Sequence, residues 1–194
     1  MKTPVPPATV QRLPLYLQIL DDRFDQTRTS SDELAALAGI TAAKVRKDLS
    51  YLGTYGTRGV GYEVEQLRFE IRRALGLTRG WRLAIVGVGN LGSALASYGG
   101  FRSGGFEVAG LFDDDPAKVG SDIAGLVVEP LRRLEEVVAE KGIDIGVVAV
   151  PAESAQDVAE RMERCGIRSI LNFAPTVIHL SDGVEVRSVD LSTE

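Results

Sequence analysis

Residues 81–98 read WRLAIVGVGNLGSALASY. The apolar run 83–88 is of the type buried on both faces of a parallel sheet. Residues 90–98 have the composition of a helix, and the turn between them is Gly87-Val88-Gly89-Asn90-Leu91-Gly92. Each glycine has a physical task in such a turn. Gly87 permits the tight bend after the strand, Gly89 lets the backbone approach a pyrophosphate, and Gly92 lets helix and strand pack closely. Free N–H groups and the helix dipole favour an anion at the start of the helix. A second strand is predicted over 106–112, and an acid follows it: Asp113, 24 residues after Gly89, the position that reaches the ribose hydroxyls of an adenosine. Asp114 and Asp115 beside it repel a 2′-phosphate, which favours NAD(H) over NADP(H). The alternative is a glycine turn serving structure alone in some other α/β domain; the strand–turn–helix–acid order weighs against it.

Downstream, the pattern predicts helix over 130–141, strand over 143–150, helix over 152–165, strand over 169–172 and a last short strand over 184–189. Alternating strands and helices imply a doubly wound parallel sheet of the Rossmann type. Ligands of such sheets lie beyond the carboxyl ends of the strands. Pro151 and Ala152 follow one strand, and Asn172, Phe173, Ala174 and Pro175 follow the next, so both stretches are read as lining the nicotinamide half of the site. Proline and asparagine also punctuate ordinary loops, and turn chemistry explains these residues equally well.

Upstream the rhythm is different. Residues 1–7 form a Pro-rich arm expected to be mobile. A helix is predicted over 8–22, with Leu13, Leu17 and Leu20 on one face beside Tyr16 and a kink or restart at Pro14. Ser30 and Glu33 have capping-box spacing, and the helix they open is expected to bury Leu34, Leu37 and Ala38 before Gly39 ends it. Thr41 caps the next helix, whose buried stripe is Val45, Leu49 and Leu52. Its other side carries Lys44, Arg46, Lys47, Ser50 and Tyr51. Two helices joined through a glycine turn form a helix-turn-helix pattern. Residues 53–62, GTYGTRGVGY, then read as a tight β-hairpin, the wing of a winged helix, with Arg58 at its tip. A further helix over 63–75 and a linker over 77–80 complete an N-terminal domain of residues 1–80, distinct from an α/β domain of residues 81–194.

Lys and Arg pair with guanine edges or grip phosphates, and Ser and Tyr hydroxyls reach phosphates. Arg58 suits a narrow minor groove. A solvated charged helix face is the bland alternative. Charge supports the sharper one: residues 1–80 hold 12 Lys+Arg against 9 Asp+Glu, and residues 81–194 hold 10 against 18, within a net charge of −5. Phosphate attraction acts locally, so an acidic protein with a basic segment still binds DNA through it.

Several classes are set aside. No apolar run approaches the ~20 residues of a membrane span, and MKTPVPPATV lacks the apolar core of a signal peptide. A cytoplasmic protein is therefore expected. One Cys and one His cannot build a metal site. Cys165 at a helix end reads as an inert thiol, with redox sensing as its alternative. His179 lies in a Val-Ile-His-Leu run that reads as packing.

The strings GIT (39–41) and KVRKDLSY (44–51), then GTYGTRGVGY (53–62), Gly87–Gly92, FDDDP (112–116) and NFAP (172–175) occur in an order that closely resembles the Rex family of redox-sensing transcriptional repressors. The resemblance covers nearly the whole chain. It implies a homodimer on a palindromic operator in double-stranded DNA, released by NADH, with NAD+ competing and permitting binding. It implies that the helix before the wing lies in the major groove and Arg58 in the minor groove. It also implies that Tyr98 and Asp190 couple cofactor state across the dimer. Family members continue past the Val189-Asp190 stretch into a C-terminal helix exchanged between subunits; with Glu194 last, that helix is expected to be missing. The competing readings are an NAD-dependent dehydrogenase with an accessory winged helix, which lacks a placed proton-transfer group, and a CoA- or other nucleotide-binding regulator, since related sheets hold different nucleotides.

Overall fold

The computed structural model describes residues 5–23, 27–53 and 61–189. The chain divides into two compact units, residues 1–79 and 80–194.

In the first unit the helix expected over 8–22 is α1 (Pro7–Val10) and α2 (Leu13–Arg23), with the expected restart one residue before Pro14. The break falls at Gln11 and Arg12. Pro14 then sits in the first turn of α2, where a missing N–H costs nothing. After β1 (Arg28–Thr29) come α3 (Ser31–Ala38) and α4 (Ala42–Ser50). The Ser30/Glu33 capping box forms as expected, and Gly39 ends α3 in the left-handed region at φ 66°. Thr41 caps α4 by accepting from the Lys44 amide. Then follow β2 (Tyr62–Glu63) and α5 (Val64–Ala74). Leu13, Tyr16 and Leu20 of α2 meet Leu34, Val45, Leu49, Leu67 and Ile71 in one apolar core. Leu37, expected inside, is exposed, and Ala35 takes its place. β1 and β2 pair antiparallel, Arg28 opposite Glu63. Gly61, at φ 85°, is where the chain returns to this ladder; a Cβ there would meet the Thr29 carbonyl oxygen. The hairpin expected over 53–62, with Arg58 at its tip, lies largely outside the described residues, as do positions 1–4 of the N-terminal arm.

The second unit runs β3 (Trp81–Val86), α6 (Asn90–Ala96), α7 (Gly99–Ser103), β4 (Phe106–Asp113), β5 (Asp122–Ile123), β6 (Leu126–Pro130), a 3-10 turn at Leu131–Arg133, α8 (Leu134–Lys141), β7 (Ile145–Val148), α9 (Ala152–Arg164), β8 (Ser169–Asn172) and β9 (Glu185–Ser188). The spatial order is β5-β6-β4-β3-β7-β8-β9. Only β5 pairs antiparallel, and the rest of the sheet is parallel. Strand alternation sends Ala84 and Val86 into the core with α8 and α9, and Leu83 and Ile85 into the opposite core, against Leu95 and Phe101. Helices therefore cover both faces. The chain winds one way from β3 through β4 to β6 and the other way from β7 through β8 to β9, so the order reverses between β3 and β7. Such a switch point opens a crevice at the carboxyl ends of the strands.

Three elements differ from expectation. The helix expected from 130 begins at Leu134, because 126–130 is strand β6. The helix expected to reach Tyr98 stops at Ala96, and a short α7 follows. The strand expected over 143–150 ends at Val148, leaving Ala149 and Val150 to turn into the crevice.

Candidate nucleotide pocket and nucleic-acid interface

The crevice at the switch point is a cavity of about 590 Å³. Four strand ends build it: Gly87 and Gly89 after β3, Asp113 as the last residue of β4, Pro151 after β7 and Phe173 after β8. The three glycines of the turn have separable reasons. Gly87 has φ 92°, and a Cβ there would collide with the Ala149 carbonyl oxygen. A Cβ on Gly92 would stand on the Gly87 carbonyl oxygen, which is the close helix–strand approach read from sequence. Gly89 has φ −70° and no protein atom within 4 Å of its would-be Cβ. Neither backbone conformation nor protein crowding demands glycine at 89, which lines the cavity.

Asp113 does two things at once. Its Oδ2 accepts from the Val88 amide at 2.9 Å, and its Oδ1 accepts from the Asp115 amide at 2.9 Å. Lys118 Nζ lies 3.2 Å from Oδ2. Burial works to raise this carboxyl, but the Asp115 and Val88 amides and the Lys118 ammonium outweigh it and hold the pKa below the ordinary carboxylate range. A carboxylate has about four acceptor directions, and three are in use, so one remains free on a residue that lines the cavity.

Of the other residues read as cofactor contacts, Asn90 and Leu91 line the cavity. Val88 contributes its amide to Asp113. Gly92, Asp115, Ala152, Asn172, Ala174 and Pro175 do not line it. Asn172 is fully buried (0% exposed) and spends its amide internally: Oδ1 accepts from the Ala174 amide at 2.9 Å, and Nδ2 donates to the Thr176 carbonyl at 2.7 Å. The turn-chemistry reading therefore describes Asn172: it holds the Phe173 turn in place. Sequence reasoning missed Val86, Lys118, Leu131, Ala149, Ser154 and Val158 among the lining residues. Lys118 alone carried a signal, a cation inside an acidic loop.

Tyr98 is 61% exposed and does not line this cavity. Its ring meets Phe101 edge-on, with centroids 5.5 Å apart. Asp190 lies outside the described residues. His179 is exposed and away from the cavity, its backbone clamped by both ends of the Gln156 amide. Cys165 is half-buried, and burial raises its thiol pKa, as suits an unreactive thiol.

In the N-terminal unit, α4 turns Val45, Asp48 and Leu49 inward. Lys44, Lys47 and Ser50 face solvent, and Tyr51 is half-buried at the helix end. Among the described residues the two lysines have no ion-pair partner. Arg46 is exposed, but its guanidinium also donates to Ser31 Oγ at 3.0 Å, at the start of α3. The Ser50 hydroxyl bonds back to the Lys47 carbonyl at 2.7 Å. The face thus presents two free ammonium groups, a tethered guanidinium and a hydroxyl along one short helix, a set suited to phosphates and base edges. No helix among the described residues is long and apolar enough to cross a membrane, and no group of three or more His, Cys, Asp or Glu among them could hold a metal ion.

Comparison with known proteins bears on both sites. A family model described as a CoA binding domain matches residues 78–176, and one described as a putative DNA-binding protein N-terminus matches residues 4–50. A redox-sensing transcriptional repressor Rex from Streptomyces avermitilis is 56% identical over 98% of this chain and 76% of its own length. A protein of the same name from Carboxydothermus hydrogenoformans is 49% identical over 97% of this chain and 91% of its own length. Among solved structures, RSP in complex with β-NAD+ and operator DNA aligns with a TM-score of 0.92 at 38% identity, covering 98% of this chain and 89% of RSP. RSP in complex with β-NADH aligns at 0.88 and 37% identity, with 98% and 90% covered.

Proposed function

The chain belongs to the Rex family of redox-sensing transcriptional repressors, and from that premise we propose how its residues divide the work. It is an operator-binding repressor that responds to NADH and NAD+. Lys44, Arg46, Lys47, Ser50 and Tyr51 of α4, together with Arg58, hold the DNA. The cavity at the switch point holds the dinucleotide. Gly89 and the first turn of α6 would hold its pyrophosphate, Asp113 its adenosine ribose, and Pro151 and Phe173 its nicotinamide.

The observation that carries this assignment is Gly89, a glycine with an ordinary φ and empty space where its side chain would be. When bound, the nicotinamide supplies the redox difference, a hydride and one positive charge. The protein's part is to bind it, orient it and translate occupancy into DNA affinity. That translation is a linkage: NADH weakens operator binding only to the extent that it binds the DNA-free state more tightly. Tyr98 and Asp190 are the residues that the family pattern assigns to this coupling, in a homodimer reading two half-sites of a palindrome about 34–36 Å apart.

A sensing role suits this chain better than catalysis, because its one histidine stands away from the cavity. A cytoplasmic location follows from the same role. The CoA reading draws on the description of the matched family model; RSP with NADH and with NAD+ favours the nicotinamide dinucleotides.

Gly89→Val tests the assignment. The backbone accepts valine there, so the variant is expected to keep its melting temperature and operator affinity and to lose NADH binding by calorimetry. Unchanged NADH affinity would remove the glycine turn from the site.

A further inference from the structure

Asp48 stands on the buried side of α4, 2% exposed, in the same stripe as Val45 and Leu49. Its carboxylate accepts four hydrogen bonds. Thr9 Oγ1 and Arg12 Nη2 donate to Oδ1 at 2.8 and 2.7 Å. Arg12 Nε and the Tyr16 hydroxyl donate to Oδ2, both at 2.7 Å. All four acceptor directions are filled. The donors come from three places in the chain: α1, the two-residue break before α2, and α2 itself. The break at Gln11 and Arg12 is thus where the fold supplies its guanidinium to α4.

We propose that Asp48 is a positioning residue: this hub fixes the rotation of α4 about its own axis and so decides where Lys44, Lys47 and Ser50 point. The inference rests on the reading of α4 as the operator-reading helix. Apolar contacts of Val45 and Leu49 are non-directional, and a helix lying on an apolar stripe alone can turn with little loss of buried area. With side chains at a radius of ~5–6 Å, a turn of about 20° moves their ends by ~2 Å. Hydrogen-bond distances tolerate only ~0.5 Å. Four short, directional bonds to one carboxylate remove that freedom. A buried ion pair is on its own a poor source of stability, since well-packed apolar residues do as well or better. Orientation is what an apolar replacement cannot supply.

The test compares binding of the operator duplex crystallised with RSP to binding of a scrambled duplex of equal length, below the melting temperature of every variant. Asp48→Asn is expected to lower the operator-to-scrambled affinity ratio roughly tenfold, the scale of one lost base contact, with scrambled binding unchanged because phosphate attraction survives. The double variant Asp48→Leu with Arg12→Met is expected to regain melting temperature and keep the low ratio. Recovery of the ratio together with stability would overturn the proposal, as would a wild-type ratio in Asp48→Asn. Should Asp48→Asn fail to fold, Tyr16→Phe removes one of the four bonds and leaves the ion pair; it is expected to give a smaller fall in the ratio, and an unchanged ratio overturns the proposal. An unaltered chain with no preference for the operator would instead overturn the functional reading beneath it.

Discussion

The Val88 amide donates to Asp113 Oδ2 at 2.9 Å, so the acid at the end of β4 braces the glycine turn at the end of β3. The residue read as a ribose ligand is also part of the scaffold that shapes the phosphate end of the cavity. Asp113→Ala is therefore expected to remove more than a ribose contact. It leaves the Val88 and Asp115 amides without their acceptor and Lys118 without its nearest counter-charge. Hydrogen bonds to charged groups contribute about 1.5–3 kcal/mol each, so NADH affinity should fall roughly 10- to 100-fold in calorimetry. Asp113→Asn, which keeps one acceptor oxygen, should lose less. Unchanged NADH affinity in the alanine variant would refute the role of Asp113.

Gly92 and Gly89 should respond differently to alanine. At Gly92 the new methyl group overlaps the Gly87 carbonyl oxygen, so α6 must move away from β3. A cost of about 1–3 kcal/mol is expected for such overpacking, seen as a melting temperature several degrees lower. At Gly89 the methyl group meets no protein atom, and the melting temperature should hold. Equal thermal shifts in the two variants would contradict the division of labour within the turn.

The Asp48 hub gives stability a pH signature at both ends. Burial works to raise the Asp48 pKa, but the bonds from Arg12, Tyr16 and Thr9 outweigh it and lower it. A depressed carboxyl contributes stability above its unfolded pKa of ~3.9 and loses it as pH falls from there through the folded value. Burial and the bond to Asp48 push the Tyr16 phenol up to about 12. A raised phenol contributes stability below its unfolded pKa of ~10 and loses it as pH rises through the folded value. Asp48→Asn should flatten the acid limb of a melting-temperature profile. Tyr16→Phe should flatten the alkaline limb and delete a tyrosinate titration step at about 12. An acid limb of wild-type steepness in Asp48→Asn would show that the carboxylate is not held as described.

The two kinds of cation on α4 should also separate. Lys47 has no partner among the described residues, and Lys47→Ala should weaken binding to every duplex and reduce the salt slope by about 0.9. Arg46 is tethered to Ser31, and its removal should weaken operator binding and loosen the α3–α4 junction together. Arg58→Ala should weaken operator binding while leaving NADH binding intact. A gel-shift titration giving wild-type affinity for any of the three would strike that residue from the contact set.

Local chemistry was legible in the sequence, and long-range pairing was not. The turn 87–92 and the stripe of α4 depend on neighbours within about a helix turn, and the acid at 113 stands at a fixed spacing from Gly89 in a known strand–turn–helix order. Strand β6 was hidden because its hairpin turns through Ala124 at φ 55° followed by Gly125, where Asn-Gly or Asp-Gly would have announced it. Asp48 was not expected inside, because a carboxylate is almost never buried unless paired, and its partners lie 32 to 39 residues away. Asn172 ends a strand where a ligand residue would stand, and only its bonds to the Ala174 amide and the Thr176 carbonyl identify it as the holder of the turn.

Operator affinity measured against the NADH:NAD+ ratio, at fixed total dinucleotide and fixed salt, tests the central claim most directly. Affinity for the duplex should fall steadily as NADH replaces NAD+, and Gly89→Val should bind the duplex equally at every ratio. An unaltered chain whose grip on DNA ignored that ratio would contradict the account.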